Sequence, residues 1–310
     1  MFKIHCIRTG RLRSMKKSTV ILISIALVIG FGALVYIGIR HSRGVPVRVE
    51  KPEKIILEVR FLDREIDVSK NTALDIWQTL PKKEIELMRQ VTVLPWGKSL
   101  VSPILVSAFR SQKDIYFYLS WKDDTQDRDT GSNTYSDGCA VMFPMGEEIP
   151  ASTIMMGFMN KSNIWYWKAS RDREYWLAQE KLAGADELPG SKVYADYHYP
   201  FEEKELFAVS KDIPKSAIND LIAIRVGTIT PKDIQNVQGR GFWANGSWQV
   251  VFKRPMAIAD PEIDAQLEPA GPAASGASKN KLCAFSVWNG ASGDRGGRKS
   301  ISDWVELDIK

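Results

Sequence analysis

The sequence predicts an all-β protein: an antiparallel β-sandwich with minor helices, preceded by one N-terminal transmembrane helix. Two observations lead to this fold class. Short segments of alternating apolar and polar residues recur along the chain, separated by clusters of Gly, Pro, Asn and Asp, which is the pattern of antiparallel strands joined by turns. Regular helices do not alternate with these strands, so a parallel βαβ sheet is disfavoured. The second observation is one long apolar run near the N-terminus.

The apolar run covers residues 19–39, which are 21 residues without a charged side chain. A helix of that length can cross the hydrocarbon core of a membrane. Six Lys and Arg residues precede the run, and the positive-inside rule places that end in the cytoplasm. A cleaved signal peptide starting at Met15 is the alternative, but the run exceeds the usual apolar region of about 7–15 residues and no A-x-A-like site follows. Both interpretations export the rest of the chain to the extracytoplasmic (periplasmic) side.

Four segments are predicted, namely a basic cytoplasmic N-terminus (1–18), a transmembrane anchor (19–40), a linker (41–54) and one β-sandwich domain (55–310) with an exposed loop at 265–280. Charge is divided unequally among them. Residues 1–49 hold nine of the 42 Lys and Arg residues and none of the 37 Asp and Glu residues, so the rest of the chain has a net charge of −4. Nucleic-acid binding by the exported domain is therefore disfavoured.

Alternation predicts six strands, at residues 56–62, 114–121, 221–228, 247–253, 282–288 and 304–309. In the first strand, Leu57 and Val59 share one face while Glu58 faces the other. The dipeptide Asn245-Gly246 precedes the fourth strand and predicts a tight hairpin turn. Helical periodicity is limited to two short segments, 73–88 and 171–182.

Few side chains are suited to hydrolytic catalysis. His198 is the one histidine within the predicted domain, and no GxSxG motif accompanies it. Cys139 and Cys283 could form at most one disulfide, and two buried thiols are the favoured interpretation. The absence of a CxxC motif excludes zinc ribbons and covalently attached c-type heme.

Two segments are candidates for binding a cofactor. Residues 152–168 (STIMMGFMNKSNIWYWK) contain three methionines followed by a strand with Trp165 and Trp167. Residues 283–307 (CAFSVWNGASGDRGGRKSISDWVEL) contain a glycine-rich loop with Lys299 between two strands. Methionine sulfur is a soft ligand for iron or copper, and a lysine amine binds a metal only after it loses its proton. On the residues alone, core packing and a solvated loop are the simpler interpretations.

The order of motifs resembles the heme b-binding gamma subunit of type II molybdoenzymes of the dimethyl sulfoxide reductase family, the ethylbenzene dehydrogenase-type heme domain. The resembling motifs run in order through most of residues 55–310. They are QVTVLP from Gln90, WKDDTQD from Trp121, DGCAVMFP from Asp137, MG from Met156 ahead of NIWYW, the hairpin GRGFWANGSWQVVFKRP, and AFSVWNG followed by GGRKSISDW. Each motif is short, and their shared order carries the resemblance.

The resemblance implies a β-sandwich that holds one heme b non-covalently between a methionine and a lysine. Matched to the motifs, these axial ligands are Met156 and Lys299. Met155 and Met159 are the nearest alternatives for the thioether. His198 is a further alternative, because histidine is ordinarily the better heme ligand.

Other residues would surround the heme. Arg295 and Arg298 are candidates to pair with the propionates, because guanidinium groups match carboxylates; a solvated loop is the alternative. Arg240 lies in a GxG motif, but its guanidinium stays protonated and cannot bind iron. Four aromatic residues are candidates to pack on the porphyrin faces, although core packing explains each as well: Trp165, Trp167, Phe143 and Trp288.

The implied function is electron transfer by a non-catalytic subunit, because two axial ligands leave no open position on the iron. The implied partners are an iron–sulfur beta subunit and a molybdenum-cofactor alpha subunit of the same complex, with a cytochrome c or a quinone-linked component beyond them. Family gamma subunits are commonly soluble in the periplasm, so the predicted anchor is a departure from the pattern. The terminal substrate belongs to another polypeptide.

Two other functions fit the same sequence. A membrane-anchored carbohydrate- or ligand-binding β-sandwich module without heme is one, because this architecture hosts many binding sites. An assembly protein of the same complex that has lost its heme is the other.

Overall fold

The alternating segments form strands in a computed structural model of the protein. The structure describes residues 54–92, 94, 96–145, 153, 161–184, 214–224, 228–258, 260–269 and 281–310. The described ranges contain fourteen strands, one 3-10 helix (Asn71–Gln78) and one α-helix, α1 (Ala169–Gly184). The strands are β1 (Ile55–Phe61), β2 (Lys83–Ile85), β3 (Leu87–Arg89), β4 (Ile104–Arg110), β5 (Asp114–Lys122), β6 (Gly138–Pro144), β7 (Ser162–Lys168), β8 (Ile218–Ala223), β9 (Thr230–Pro231), β10 (Gln238–Ala244), β11 (Ser247–Pro255), β12 (Lys281–Trp288), β13 (Ser300–Ser302) and β14 (Val305–Ile309).

The strands form two sheets that share β12. The first sheet has the order β10-β11-β5-β4-β1-β14-β12, and the second has the order β12-β6-β7-β8-β9. The start of β12 pairs with β14, whereas residues 284–288 pair with β6. Among the short strands, β2 pairs with β4, and β13 pairs with both β12 and β3.

Large aromatic side chains fill the space between the two sheets. Phe117 of β5 lies at a ring-centroid distance of 5.8 Å from both Phe143 of β6 and Trp165 of β7. Trp167 of β7 lies 4.9 Å from Trp248 of β11. The predicted all-β class is confirmed, and the facing sheets have the arrangement of a sandwich.

The direction of β1 departs from the prediction. This strand pairs in parallel with both of its neighbours, β14 and β4, while the other named pairs are antiparallel, as in β5 with β11. Alternation of side chains has the same period in parallel and antiparallel strands. The sequence pattern therefore predicts the strand but not the direction of its partners.

The predicted helix at 73–88 is wrong over most of its length. The structure has a 3-10 helix that ends at Gln78, followed by β2 and β3. Pro81 cannot continue a helix because its ring removes a donor and clashes with the preceding turn. Beyond it, buried Ile85 and Leu87 flank exposed Glu86, which is the alternation of a strand.

Other local predictions are confirmed. The segment predicted as a helix at 171–182 lies within α1. Asn245 and Gly246 have φ of 52° and 69°, which is the backbone that a two-residue hairpin between β10 and β11 requires. The strand predicted at 221–228 is confirmed only in part, because the structure places it at Ile218–Ala223. Cys139 and Cys283 are free buried thiols.

The predicted exposed loop at 265–280 begins inside the core. Ala265 and Leu267 are buried in the main apolar cluster, and Arg254 donates a hydrogen bond to the Ala265 carbonyl (2.7 Å). Residues 270–280 lie outside the described residues, as do 1–53 with the predicted membrane helix. No helix in the described part of the chain is both long enough and apolar enough to span a membrane.

Candidate functional site

The second sheet presents two different faces. Its inner face, which points between the sheets, carries Phe143, Trp165 and Trp167, and all three are fully buried in the main core. Its outer face is defined by a separate buried cluster with two partly buried neighbours, namely Ala140, Ile164, Leu221, Ala223 and Trp288 with Met142 and Tyr166. The aromatic candidates are thus divided: Trp288 lies on the outer face, and the other three belong to the core.

Small side chains dominate the middle of the outer face. Ala140 of β6 pairs with Ser286 of β12 on one side and with Tyr166 of β7 on the other. In the next row, Met142 lies between Ala284 and Ile164. A surface with small residues at its centre and aromatic residues at its margin is suited to a flat ligand.

Lys299 lies beside the aromatic margin of this face. Its Nζ is 4.7 Å from the centroid of the Trp288 ring, and the Lys299 carbonyl accepts a hydrogen bond from the Gln90 N–H (2.9 Å). The side chain is partly buried. Burial lowers the pKa of the Lys299 amine to about 8, because the charged form loses solvation. A neutral amine, which can bind a metal, is therefore accessible close to neutral pH.

The segment that carries Lys299, residues 289–299, is here called the lysine loop. Gly293 and Gly296 have φ of 77° and 53°, where glycine avoids the strain of a side chain. The Gly296 carbonyl accepts a hydrogen bond from the Trp288 Nε1–H (2.9 Å). The loop and the indole that faces the lysine are thus fixed to each other.

Asp137 anchors the lysine loop to the core. Its carboxylate accepts hydrogen bonds from Gly290 N (2.8 Å), Asp127 N (2.8 Å) and Trp248 Nε1 (2.9 Å). Burial raises the pKa of Asp137 to about 7, with a further contribution from the charge of Asp123, while these hydrogen bonds act in the opposite direction. Asp137 opens the DGCAVMFP motif, but the sequence does not predict its role, because the alternation of apolar and polar residues carries no information about side chains that hold loops.

The two arginine candidates lie on the lysine loop. The Arg295 side chain is exposed, with its guanidinium 4.3 Å from the ring centroid of Tyr135. Arg298 is partly exposed and pairs through its backbone with Arg295. Arg240 lies on β10 of the first sheet, 4.8 Å from the ring centroid of Trp176. The structure therefore brings Lys299, Trp288, Arg295 and Arg298 into one region.

Met155, Met156, Met159 and His198 lie outside the described residues. Thr153 is described, and it is buried. Its hydroxyl donates a hydrogen bond to the Ser302 carbonyl. Within the described ranges, no three His, Cys, Asp or Glu side chains come together to hold a metal ion.

Sequence reasoning missed the outer face. Its members Ala140, Met142, Ile164 and Tyr166 occupy the positions that alternate with Cys139, Phe143, Trp165 and Trp167. Both sets are largely apolar, so alternation alone did not identify which one faces the core. The available signal was size, because large aromatic residues fill the inner positions of β7.

The family model described as ethylbenzene dehydrogenase matches residues 74–300. A protein of Haloferax mediterranei named as a respiratory nitrate reductase heme subunit is 24% identical over 235 residues, which cover 75% of this chain and 66% of that protein, just under two thirds of its length. The dimethylsulfide dehydrogenase subunit gamma of Rhodovulum sulfidophilum is 24% identical over 275 residues, covering 84% and 83% of the two chains.

Among solved structures, a family 9 carbohydrate-binding module from Caldicellulosiruptor kristjanssonii in complex with glucose is similar at a TM-score of 0.38 and 8% identity. The similarity covers 82% of this chain and 95% of that module. At this TM-score the likeness carries no argument about function.

Proposed function

Because the chain belongs to the ethylbenzene dehydrogenase family, whose model matches more than two thirds of it, we propose that it is the heme b-binding gamma subunit of a molybdenum oxidoreductase complex. In this role it relays electrons between an iron–sulfur subunit and a cytochrome c or quinone-linked partner. The substrate chemistry belongs to the molybdenum-cofactor subunit. The relatives named as a heme subunit and as a subunit gamma support this role.

The placement of Lys299 carries the proposal. The amine lies at the margin of a buried apolar face, with a pKa lowered to about 8 by burial. These properties would allow Lys299 to hold the iron of a heme, because the neutral amine is the ligating form. A heme bound here would supply one-electron transfer. In the protonated state the amine remains over the Trp288 ring, where a cation is stabilised.

Met156 is the proposed second ligand. Thr153 is tied through its hydroxyl to Ser302, three residues after Lys299. Met156 follows Thr153 by three residues, and three residues span at most about 11 Å. The Met156 Cα therefore lies within about 11 Å of the Thr153 Cα, and Thr153 is hydrogen-bonded to Ser302. A thioether ligand favours ferrous iron and raises the reduction potential. Met142 lies on the outer face, so a variant of Met142 can serve as the control for a variant of Met156.

The remaining residues bind and orient. Ala140 and Ser286 have small side chains at the centre of the outer face, where a planar group is proposed to pack, and the contacting rings of Tyr166 and Trp288 lie at its margin. Arg295 and Arg298 are proposed to neutralise the propionates from the lysine loop. Phe143, Trp165 and Trp167 support the heme face from behind, since their rings occupy the core.

The N-terminal segment is proposed to anchor the domain. Residues 19–40 would cross the membrane, with the heme domain on the extracytoplasmic side. The carbohydrate-binding alternative gains no support from Trp165 and Trp167, because both rings are fully buried in the core and sugar stacking needs exposed rings.

The test is to purify the full chain from heme-supplied cells and to record its oxidised and dithionite-reduced spectra and its pyridine hemochrome. The wild type is expected to give a low-spin b-type spectrum. Lys299→Ala and Met156→Ala are each expected to give high-spin or heme-free protein, while Met142→Leu and Lys281→Ala serve as matched controls. A wild-type chain without heme, or ligand variants that keep the wild-type spectrum, would contradict the proposal.

A further inference from the structure

A group of exposed apolar side chains lies next to the lysine loop. Val91, Leu94, Trp96 and Leu100, here called the docking patch, are exposed by 49%, 75%, 60% and 46%. Four of the eleven large exposed apolar residues in the described part of the chain therefore fall within ten consecutive positions. Such a concentration is typical of an interaction surface rather than of free protein surface.

Hydrogen bonds connect the segment of the docking patch to the lysine loop. Gln90 N donates to the Lys299 carbonyl (2.9 Å), and Val101 N donates to Ser300 Oγ (3.0 Å). Between these two ends, Ser99 Oγ donates to Asp294 Oδ2 (3.3 Å). The patch is thus held against the same loop that carries the proposed heme ligand.

Trp96 is held in place although its ring is exposed. Its Nε1–H donates to the Val91 carbonyl (2.9 Å), so the indole is oriented before any partner binds. Tryptophan and arginine are the residue types that most often anchor protein interfaces. Preorganisation lowers the ordering cost of association.

The rim of the patch is positively charged. Arg89 and Lys98 are exposed, and residues 87–101 contain no Asp or Glu. The nearest exposed carboxylate in the sequence, Glu86, accepts a hydrogen bond from Ser102 Oγ (2.6 Å). Asp294, the one carboxylate of the lysine loop, is buried. This basic surface belongs to a part of the chain, residues 50–310, whose net charge is −4. A local field of opposite sign to the whole domain selects and steers a partner with an acidic face.

We propose that the docking patch and its basic rim form the face on which the iron–sulfur subunit of the complex binds, through acidic residues around an apolar socket for Trp96. This inference rests on the proposed function. Strong exposure of Leu94 and Trp96 favours a permanently covered subunit interface over a brief encounter, because permanent interfaces are the more apolar ones. Electrons then enter or leave beside Lys299.

The test uses the tagged full chain, purified together with the subunits of its own complex. Iron and acid-labile sulfide identify the iron–sulfur subunit, and the heme spectrum reports on the folding of this chain. Leu94→Glu and Trp96→Ala are expected to lower the co-purified sulfide per chain at least tenfold with heme content unchanged. Ile234→Glu and Ile224→Ala are the controls, because these exposed isoleucines lie by the β8–β9 hairpin.

Sulfide at the wild-type level in both patch variants would overturn the inference, as would its loss in the isoleucine controls instead. If the patch variants kept their sulfide but differed from the wild type in self-association, the docking patch would bind a second copy of this chain. That result would also overturn the inference. Lys98→Glu, which alters only the rim, is expected to release the iron–sulfur subunit at lower salt than the wild type does. A wild-type chain that holds the iron–sulfur subunit through this patch without heme would contradict the proposed function alone.

Discussion

The two faces of the second sheet are built from the same strands and filled by side chains of different size. The inner face carries Phe143, Trp165 and Trp167, which pack on rings of the first sheet. The outer face has Ala140 and Ser286 at its centre, and Lys299 lies at its margin. The inner face contributes mainly to stability, and the outer face is proposed to contact the heme. Substitutions on the inner face should therefore lower mainly the free energy of unfolding, and substitutions on the outer face should lower mainly the affinity for heme.

The largest effect on stability is expected on the inner face. Trp167→Ala removes a fully buried ring that contacts Trp121 and Trp248, and we expect it to lower the free energy of unfolding by about 3–5 kcal/mol. Urea unfolding of the purified chain, followed by far-ultraviolet circular dichroism, measures the change. If Trp167→Ala lowered the free energy of unfolding by less than the outer-face variant Tyr166→Ala does, the assignment of stability to the inner face would be contradicted.

A second effect tests how closely the inner face is packed. A Cβ at Gly241 of β10 would overlap Trp167 Cζ2, so Gly241→Ala is expected to lower the free energy of unfolding by about 1–3 kcal/mol. The same substitution in a Trp167→Phe background should cost less, because the clashing ring atoms are absent. Equal costs in the two backgrounds would show that the contact is not what excludes the side chain.

Asp137 links the two faces, since it accepts from Trp248 of the core and from Gly290 of the lysine loop. Its pKa is raised from 3.8 to about 7, so between these values the folded state holds a proton that the unfolded chain releases. The free energy of unfolding should therefore fall as pH rises from about 4 to about 7, by at most about 1.4 kcal/mol per pH unit from this group, and level off above.

Asp137→Asn is expected to remove that part of the pH slope, measured by urea unfolding at several pH values. The amide cannot accept from all three donors, so the variant should also be less stable at any one pH. Asp308→Asn, at a partly exposed position of β14, is the control. An unchanged slope in Asp137→Asn would assign the pH dependence to other buried carboxyl groups, such as Asp172, whose pKa burial raises to about 6.

The smallest effect on stability is expected on the outer face. Tyr166 is partly buried and lies 4.9 Å from the Trp288 ring centroid, and Tyr166→Ala is expected to cost about 1 kcal/mol. Its effect on heme should be larger, with a several-fold loss of heme affinity in a titration of the heme-free chain. Trp167→Phe should show the reverse, with stability reduced and heme affinity kept. Parallel losses in both variants would remove the functional distinction between the faces.

Much of this fold was predictable because alternation and turn chemistry are local. The strand at Asp114–Lys122 and the Asn245-Gly246 hairpin follow from short stretches of sequence. The helix predicted at 73–88 is wrong because Pro81 interrupts the helical pattern and strands follow it. The parallel pairing of β1 and the burial of Ala265 depend on contacts between distant segments, which no local pattern reports.

The candidate site was likewise predictable only where its residues are close in sequence. The sequence predicts Lys299, Arg295 and Arg298 together, because they share one loop. It gives no reason to separate Trp165 and Trp167 from Trp288, yet the structure places these residues on opposite faces. The identity of the core-facing side of a strand is set by its neighbours in the sheet, and when both sides are apolar the sequence of one strand does not decide it.

The most direct measurement is a crystal structure of the heme-loaded chain. The porphyrin is expected against the outer face, bordered on one side by the contacting rings of Tyr166 and Trp288, with the iron bonded to Lys299 Nζ and to the sulfur of Met156. A heme whose iron binds another side chain, such as His198, or one inserted between the sheets beside Trp165 and Trp167, would contradict the account.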